Sequence, residues 1–408
     1  MNPKHTVLSL LILSLLMMFS ASCLFAQTPY DHDISKAEEL RVRDGLPNFF
    51  QKLKAGEDIT VGYIGGSITN GGLWRSKTFD WLKSEYPKAK LKHVNAAIGG
   101  TGPDFGACRI GNHLLAHDPD MIFIEYRVND GGAFQGRAFE GLIPQIWNHN
   151  PNAEICIVYT IAKWMLSDIE KGKQTSAGRP IEAVANHYGI TSIDFGLEVV
   201  KQLNENKLVF QANKPVDGKI LFSKDGVHPV EAGHDIYRDI VVRSFKAIED
   251  HGTAGANVIP KPLKENAFSN ATMVPVTRAR FSAGWQSVDL SGSTDINADL
   301  TDKNGGDKTI FDEAMKTDSV DETLTLQWDG FMLGLTAVLQ GKDQVKIEVS
   351  TDGGPAKIYD LASRSGNRQS KYIFTKEVGS GSHTTIVKVV SLAEGKSCQL
   401  GQFLVVGE

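Results

Sequence analysis

Strand-like and helix-like runs alternate along the first part of the chain, and this alternation limits the folds that are open to it. Apolar runs such as "ITVGYIGGS" and "DMIFIEYRV" are typical of buried strands, whereas "WRSKTFDWLKSEYP" has apolar side chains at helical spacing. The pattern extends from about residue 58 to residue 250. It predicts right-handed crossovers and a parallel sheet that is covered by helices on both faces.

The pattern changes after residues 251–262, "HGTAGANVIPKP", a Gly-, Pro- and Ala-rich segment that we interpret as a linker. From residue 263 to residue 408, short strand-like runs are separated by Gly, Asp and Ser turns, which is typical of an antiparallel β-sandwich. Residues 27–57 are expected to contain a helix that packs on the first domain. The predicted fold class is therefore α/β over residues 27–250, followed by an all-β domain.

The first residues are interpreted as a targeting signal. "MNPKHTVLSLLILSLLMMFSASCLFAQ" has a basic start, an apolar centre and small residues before Ala26, which is typical of a secretory signal that is cleaved after Ala26. Cys23 offers the alternative of a lipoprotein. The expected location is therefore outside the cell or in the periplasm. No later segment is apolar over the length that a membrane span needs.

Ser67 follows the first predicted strand, within "GYIGGSITNGG". By itself it is either a nucleophile on a tight turn or an ordinary loop residue, and a nucleophilic serine needs a base to remove its proton. "SKDGVHP" supplies a candidate base, since Asp225 precedes His228 by three residues. The carboxylate could then hold Nδ1 of the imidazole and leave Nε2 facing the serine. The alternative for this pair is a helix cap followed by a surface histidine.

Donors for an oxyanion are expected at the ends of the neighbouring strands. Asn129 follows the third predicted strand in "YRVND", and Gly100 follows the second in "NAAIGGTG". Together with the Ser67 N–H, they would form an oxyanion hole at the carboxyl edge of the sheet, where reactive groups collect in α/β folds. Gly99 competes with Gly100 for this role, and Asn129 could instead be only a turn residue.

These four blocks, in this order, resemble the SGNH/GDSL hydrolase superfamily: "GGSIT", "NAAIGGTG", "VND" and "DGVHP". The resemblance covers most of residues 58–250 and implies a flavodoxin-like sheet. It also implies catalytic roles for Ser67 as nucleophile, His228 as general base and Asp225 as its partner. Ser67, Gly100 and Asn129 would be the oxyanion donors.

Two positions depart from the family pattern. The family usually has aspartate before the serine and glycine two residues before the asparagine, whereas this chain has Gly66 and Arg127. Arg127 and Asp130 are candidates for substrate binding beside the site. The alternative for Arg127 is an ion pair with a nearby acid, either Glu125 or Asp130.

The resulting expectation is a secreted serine esterase that hydrolyses O-acyl esters, above all O-acetyl esters, on carbohydrates. The alternatives are a polysaccharide O-acetyltransferase, a lipase or thioesterase, and a glycan-binding protein that has lost catalysis. Neither a metal nor an organic cofactor is expected. The net charge of −5, without a basic stripe, argues against a nucleic-acid partner. The oligomeric state is left open.

Overall fold

The computed structural model describes residues 30, 32–265, 267–290, 297–298, 308–309, 313–339, 344–362 and 369–407. The predicted signal sequence and Cys23 lie outside these residues. In the first domain the strands are β1 Leu40–Arg41, β2 Asp58–Gly65, β3 Lys90–Asn95, β4 Met121–Glu125, β5 Glu154–Tyr159, β6 Thr191–Asp194, β7 Leu208–Gln211 and β8 Ile220–Ser223. The helices are α1 Pro47–Ala55, α2 Ser67–Asn70, α3 Leu73–Glu85, α4 Pro103–His113, α5 Arg137–His149, α6 Leu166–Ile169, α7 Gly178–His187, α8 Phe195–Asn204 and α9 Glu231–Ile248.

The central sheet has the strand order β1-β6-β5-β4-β2-β3. Four crossover connections leave β3, β2, β4, β5 and β6 parallel, whereas β1 pairs antiparallel with β6 at one edge. The parallel strands thus follow the flavodoxin-like order. In this order, successive strands are added first on one side of the starting strand and then on the other, and the switch lies between the first and third strands, here β2 and β4. The predicted parallel sheet is confirmed, and a ligand crevice is expected at the carboxyl ends of β2 and β4.

The expectation of a helix within residues 27–57 is only partly right. Helix α1 is present, and its buried apolar face is formed by Phe49, Phe50 and Leu53. The residues before it instead form a short 3₁₀ turn at Ile34–Lys36 and strand β1. Strand β1 forms because the backbone of Leu40 and Arg41 pairs with Ile193 and Ser192, a contact with a distant segment that local spacing does not encode.

The second domain contains two large antiparallel sheets that pack together, and a separate two-stranded pair, β12 with β13. Its strands are β9 Asn270–Pro275, β10 Arg280–Phe281, β11 Gln286–Asp289, β12 Asn297–Ala298, β13 Lys308–Thr309, β14 Glu313–Thr317, β15 Thr323–Gly330, β16 Met332–Leu339, β17 Gln344–Thr351, β18 Lys357–Ala362, β19 Gln369–Phe374, β20 Gly381–Leu392 and β21 Cys398–Gly407. One sheet has the order β10-β15-β20-β17-β18, and the other has β11-β14-β21-β16-β19 with β9 against β21. The predicted fold class, a parallel α/β domain followed by a β-sandwich, is confirmed.

The two domains share one continuous apolar cluster. Phe105 of α4 and Ile143 of α5 belong to the same buried cluster as Phe268, Phe331 and Leu404 of the second domain. The contact between the domains is therefore a buried apolar core, in which side chains pack closely, and the sandwich packs directly on α4 and α5. Among the described residues, none of the helices combines the length and the apolar character that a membrane span requires.

Candidate active site

A chain of three side chains links the ends of β2 and β8. Ser67 Oγ lies 2.7 Å from His228 Nε2, and His228 Nδ1 lies 2.7 Å from Asp225 Oδ2. Ser67 is the first residue of α2, directly after β2, whereas Asp225 and His228 lie in the loop between β8 and α9. The structure thus brings together residues 161 positions apart, in the order that proton transfer from a serine to an imidazole requires.

The carboxylate of Asp225 is fixed by several hydrogen bonds besides the one to the imidazole. Its Oδ1 accepts the backbone N–H groups of Val227 and His228, both at 2.8 Å, and the hydroxyl of Ser223 at 3.0 Å. Partial burial raises the pKa of Asp225, but the hydrogen bonds from His228, Val227 and Ser223 outweigh it and hold that pKa well below its usual value. Asp225 is therefore ionised and suited to orient the imidazole.

The predicted oxyanion donors lie on three loops that converge on Ser67. The side chain of Asn129 lies directly against Gly66, and a Cβ atom placed on Gly99 would lie 3.4 Å from the Cβ atom of Ser67. Gly100 has a φ of +72°, a left-handed conformation that favours glycine, and it faces open space. Gly99 therefore lies next to the serine, and Gly100 forms the turn beside it. The assignment of one of them as donor stays a prediction.

Gly66 explains one departure from the family pattern, because no larger residue fits beside Asn129. A Cβ atom at position 66 would overlap the Asn129 Oδ1 atom. Glycine is thus the one residue at this position that lets the asparagine amide approach the backbone in front of Ser67.

Gly66→Ala is accordingly expected to displace the Asn129 amide and to lower kcat for acetyl esters by about 10²-fold, the effect of losing one oxyanion donor. The KM should change much less, since the contact is made to the oxyanion. Steady-state kinetics with p-nitrophenyl acetate would measure both constants, and Gly71→Ala, at a position with more open space in the same segment, is the matched control. Equal loss in both variants would contradict this explanation.

A buried carboxyl group holds the serine turn in place, a contact that the sequence did not predict. Glu125, the last residue of β4, accepts hydrogen bonds from Thr160 Oγ1 at 2.6 Å and Thr69 Oγ1 at 3.1 Å, and from the Gly66 N–H. Burial raises the pKa of Glu125 above its usual value, although these hydrogen bonds oppose the shift. Because Gly66 and Thr69 flank Ser67 along the chain, Glu125 ties the serine turn to the centre of the sheet.

Arg127 does not lie where either sequence-based interpretation placed it. Its side chain is fully buried and forms a bidentate ion pair with Asp194, in which Nη2 lies 2.9 Å from Oδ1. Its Nε also donates to the Thr160 carbonyl at 2.9 Å. Arg127 therefore cannot reach a substrate from this position, and its partner is neither Glu125 nor Asp130. The correct partner was missed because Asp194 is 67 residues away and meets Arg127 only across β5.

Removing Arg127 should leave the charge of Asp194 buried without its partner. We expect Arg127→Met to lower the free energy of unfolding by about 3–5 kcal/mol, the usual cost of breaking a buried ion pair. Urea denaturation followed by far-UV circular dichroism would measure it, with the exposed Arg278 changed to Met as the control. A loss below about 1 kcal/mol would show that the pair does not hold this part of the sheet.

Asp130, the other candidate for substrate binding, is partly buried beside the oxyanion loops. Its Oδ1 accepts the Gly132 N–H at 2.8 Å, and its buried Oδ2 has no hydrogen-bond partner among the residues that the structure describes. Burial raises the pKa of Asp130, and the nearby Asp104 raises it further. A role in binding substrate stays a prediction. Within the described part of the chain, no group of three or more His, Cys, Asp or Glu side chains is arranged to hold a metal ion.

The chain shares its architecture, a parallel α/β domain followed by an antiparallel second domain, with solved two-domain esterases. A solved two-domain esterase active on acetylated mannans, co-crystallised with mannopentaose, is similar over 88% of this chain and 94% of its own, with a TM-score of 0.72 and 19% identity. A second structure of a two-domain esterase active on acetylated mannans has a TM-score of 0.71 and 18% identity, over 91% of this chain and 98% of its own. No protein-family model matches the sequence, and no curated protein matches it.

Proposed function

We propose that this protein is a serine esterase that removes O-acetyl groups from carbohydrates. The observation that carries the proposal is the continuous contact from Ser67 to His228 to Asp225, 2.7 Å at each step. The fold supports it too, because both similar two-domain structures belong to esterases active on acetylated mannans. Export by the signal at residues 1–26 is part of the proposal, since a polymeric glycan would be met outside the cytoplasm.

The proposed reaction has two steps. Ser67 Oγ attacks the acetyl carbonyl while His228 Nε2 accepts the hydroxyl proton, and the oxyanion is stabilised by the Ser67 N–H, the Gly100 N–H and Asn129 Nδ2. The intermediate collapses, the sugar oxygen leaves with the proton from His228, and the acetyl group stays on Ser67. Water, deprotonated by His228, then attacks this acyl-enzyme, which releases acetate and restores the serine.

An exposed indole beside the site supports a carbohydrate substrate. Of the six tryptophans, Trp164 is the exposed one, at 64%, whereas the others are buried or half-buried. It lies in a 3₁₀ turn, Lys163–Met165, that is tied to the catalytic loop because the Lys163 N–H donates to the Gly226 carbonyl at 2.8 Å. A large flat apolar face with a polar edge suits the faces of sugar rings.

Trp164→Ala is therefore expected to raise KM for an acetylated manno-oligosaccharide about tenfold, which corresponds to about 1.4 kcal/mol. The kinetic constants for p-nitrophenyl acetate should stay unchanged, since this small ester does not reach the indole. Trp81→Ala, which removes a half-buried indole near the end of α3, is the control for general damage. If Trp164→Ala affected both substrates equally, the indole would have no role in glycan binding.

The proposed function is tested by acetate release from acetylated mannan, xylan, pectin and sialoglycans, measured enzymatically for the wild type and for Ser67→Ala. We expect release from mannan above all, and none with the variant. Transfer of acetyl to an added sugar acceptor without free acetate would favour the acetyltransferase alternative. Hydrolysis restricted to long-chain acyl esters would favour a lipase.

A further inference from the structure

One side chain of the second domain reaches the loop that carries the candidate oxyanion donors. The hydroxyl of Tyr372, in β19, accepts the Gly102 N–H at 3.0 Å and donates to Asp104 Oδ1 at 3.0 Å. Its ring stacks on Phe105, with centroids 4.8 Å apart and an interplanar angle of 18°. A single tyrosine thus contacts three of the four residues at the start of α4.

Gly102 connects the two loops that carry candidate oxyanion donors. It ends the loop that contains Gly99 and Gly100, and it lies next to the loop that contains Asn129. It is the N-cap of α4 and stands two residues after Gly100. A Cβ atom on Gly102 would lie 3.3 Å from the Asn129 carbonyl oxygen. Gly99 and Gly100 are exposed, and glycines have more backbone freedom than other residues, so this loop depends on contacts at its ends.

The position of Tyr372 is itself fixed by the contact between the domains. Phe374, two residues further along β19, packs edge-on against Phe134 with centroids 5.6 Å apart. Arg137 at the start of α5 forms an ion pair with Glu377, in which Nη1 of the arginine lies 3.2 Å from Oε2 of the glutamate. Because these contacts anchor the chain just after the tyrosine, they help to hold its hydroxyl in place against the loop.

We propose that Tyr372 is a positioning residue of the active site, through which the second domain holds the loop 99–102 in the geometry that aims its N–H groups at the oxyanion. The inference rests on the proposed esterase function. It assigns the sandwich domain a part in catalysis, in addition to any contact with the glycan. Tyr372 itself does not touch the reacting atoms.

The experiment compares Tyr372→Phe with the wild type, because phenylalanine keeps the stacking on Phe105 and removes only the hydroxyl. We expect kcat for p-nitrophenyl acetate to fall at least tenfold, with KM changed less than twofold. A boronic acid forms a tetrahedral adduct with the serine. Its inhibition constant should rise by the same factor by which kcat/KM falls. Tyr359→Phe, on β18 at the edge of the other sheet, is the matched control and should leave all three unchanged.

A second measurement reports on the loop without any substrate. Hydrogen–deuterium exchange of a peptide that spans residues 96–105 should be faster in Tyr372→Phe than in the wild type, while exchange within β15 and β20 stays the same. Wild-type kinetics together with wild-type exchange in the folded variant would overturn the inference. Absence of any esterase activity in the wild type would instead refute the proposed function, and the exchange result would still decide whether Tyr372 holds the loop.

Discussion

Ser67→Ala is expected to lower kcat for p-nitrophenyl acetate by a factor on the order of 10⁶, the loss that follows removal of the nucleophile from a serine–histidine–aspartate triad. The hydroxyl is the atom that forms the acyl-enzyme, and no other hydroxyl in the described structure contacts His228 Nε2. The variant should fold normally, because alanine fits the first turn of α2 and Ser67 is only half-buried.

The control for this prediction is Ser76→Ala, which removes a hydroxyl from α3 that bonds only its own helix. Its rate should equal that of the wild type. If Ser67→Ala retained more than about a tenth of the wild-type rate, the serine esterase mechanism would be wrong, whatever the fold.

Asp225→Asn is expected to lower kcat by about 10⁴-fold, the second-largest effect. The Oδ1 position accepts two backbone N–H groups, so the amide oxygen of asparagine would take that side. The amide NH₂ would then face His228 Nδ1 and stabilise the tautomer that carries its proton on Nε2. In this tautomer the imidazole cannot accept the proton of Ser67.

The pH dependence separates the roles of Asp225 and His228. Since the pKa of Asp225 is held well below its usual value, the carboxylate stays ionised as the pH falls through the range where an ordinary aspartate, near 3.9, begins to protonate. Loss of activity between pH 7 and pH 5 therefore cannot come from Asp225. A kcat/KM profile of the wild type and of Asp225→Asn would measure this, with the exposed Asp217 changed to Asn as control.

The convergence of Ser67, Asn129 and His228 could be predicted because the sequence marks the strand ends clearly. The apolar runs of β2 and β4 are buried on both faces, and a parallel sheet places their carboxyl ends at one edge. The three-residue spacing of Asp225 and His228 is local, so the contact between them could also be inferred from the sequence. These parts of the site depend on short-range patterns and on one topological rule.

The contacts that the sequence did not predict are those between distant segments. Arg127 forms an ion pair with Asp194, and Tyr372 forms a hydrogen bond with Gly102, which is 270 residues away. Neither partner could be identified from spacing or composition. Glu125 sits in an apolar strand, where a lone acid indicates a special partner, but only the fold shows that the serine turn is that partner. Such contacts follow from how strands and domains pack.

The central claim is that the Ser67 hydroxyl is activated by His228. The most direct measurement is covalent labelling with a fluorophosphonate, followed by intact-mass and peptide mass spectrometry of the wild type, Ser67→Ala and His228→Ala. The account predicts one adduct per chain, located on Ser67, no adduct in Ser67→Ala, and labelling slowed at least a hundredfold in His228→Ala. An unlabelled wild type, an adduct on another residue, or equal labelling rates without the imidazole would contradict it.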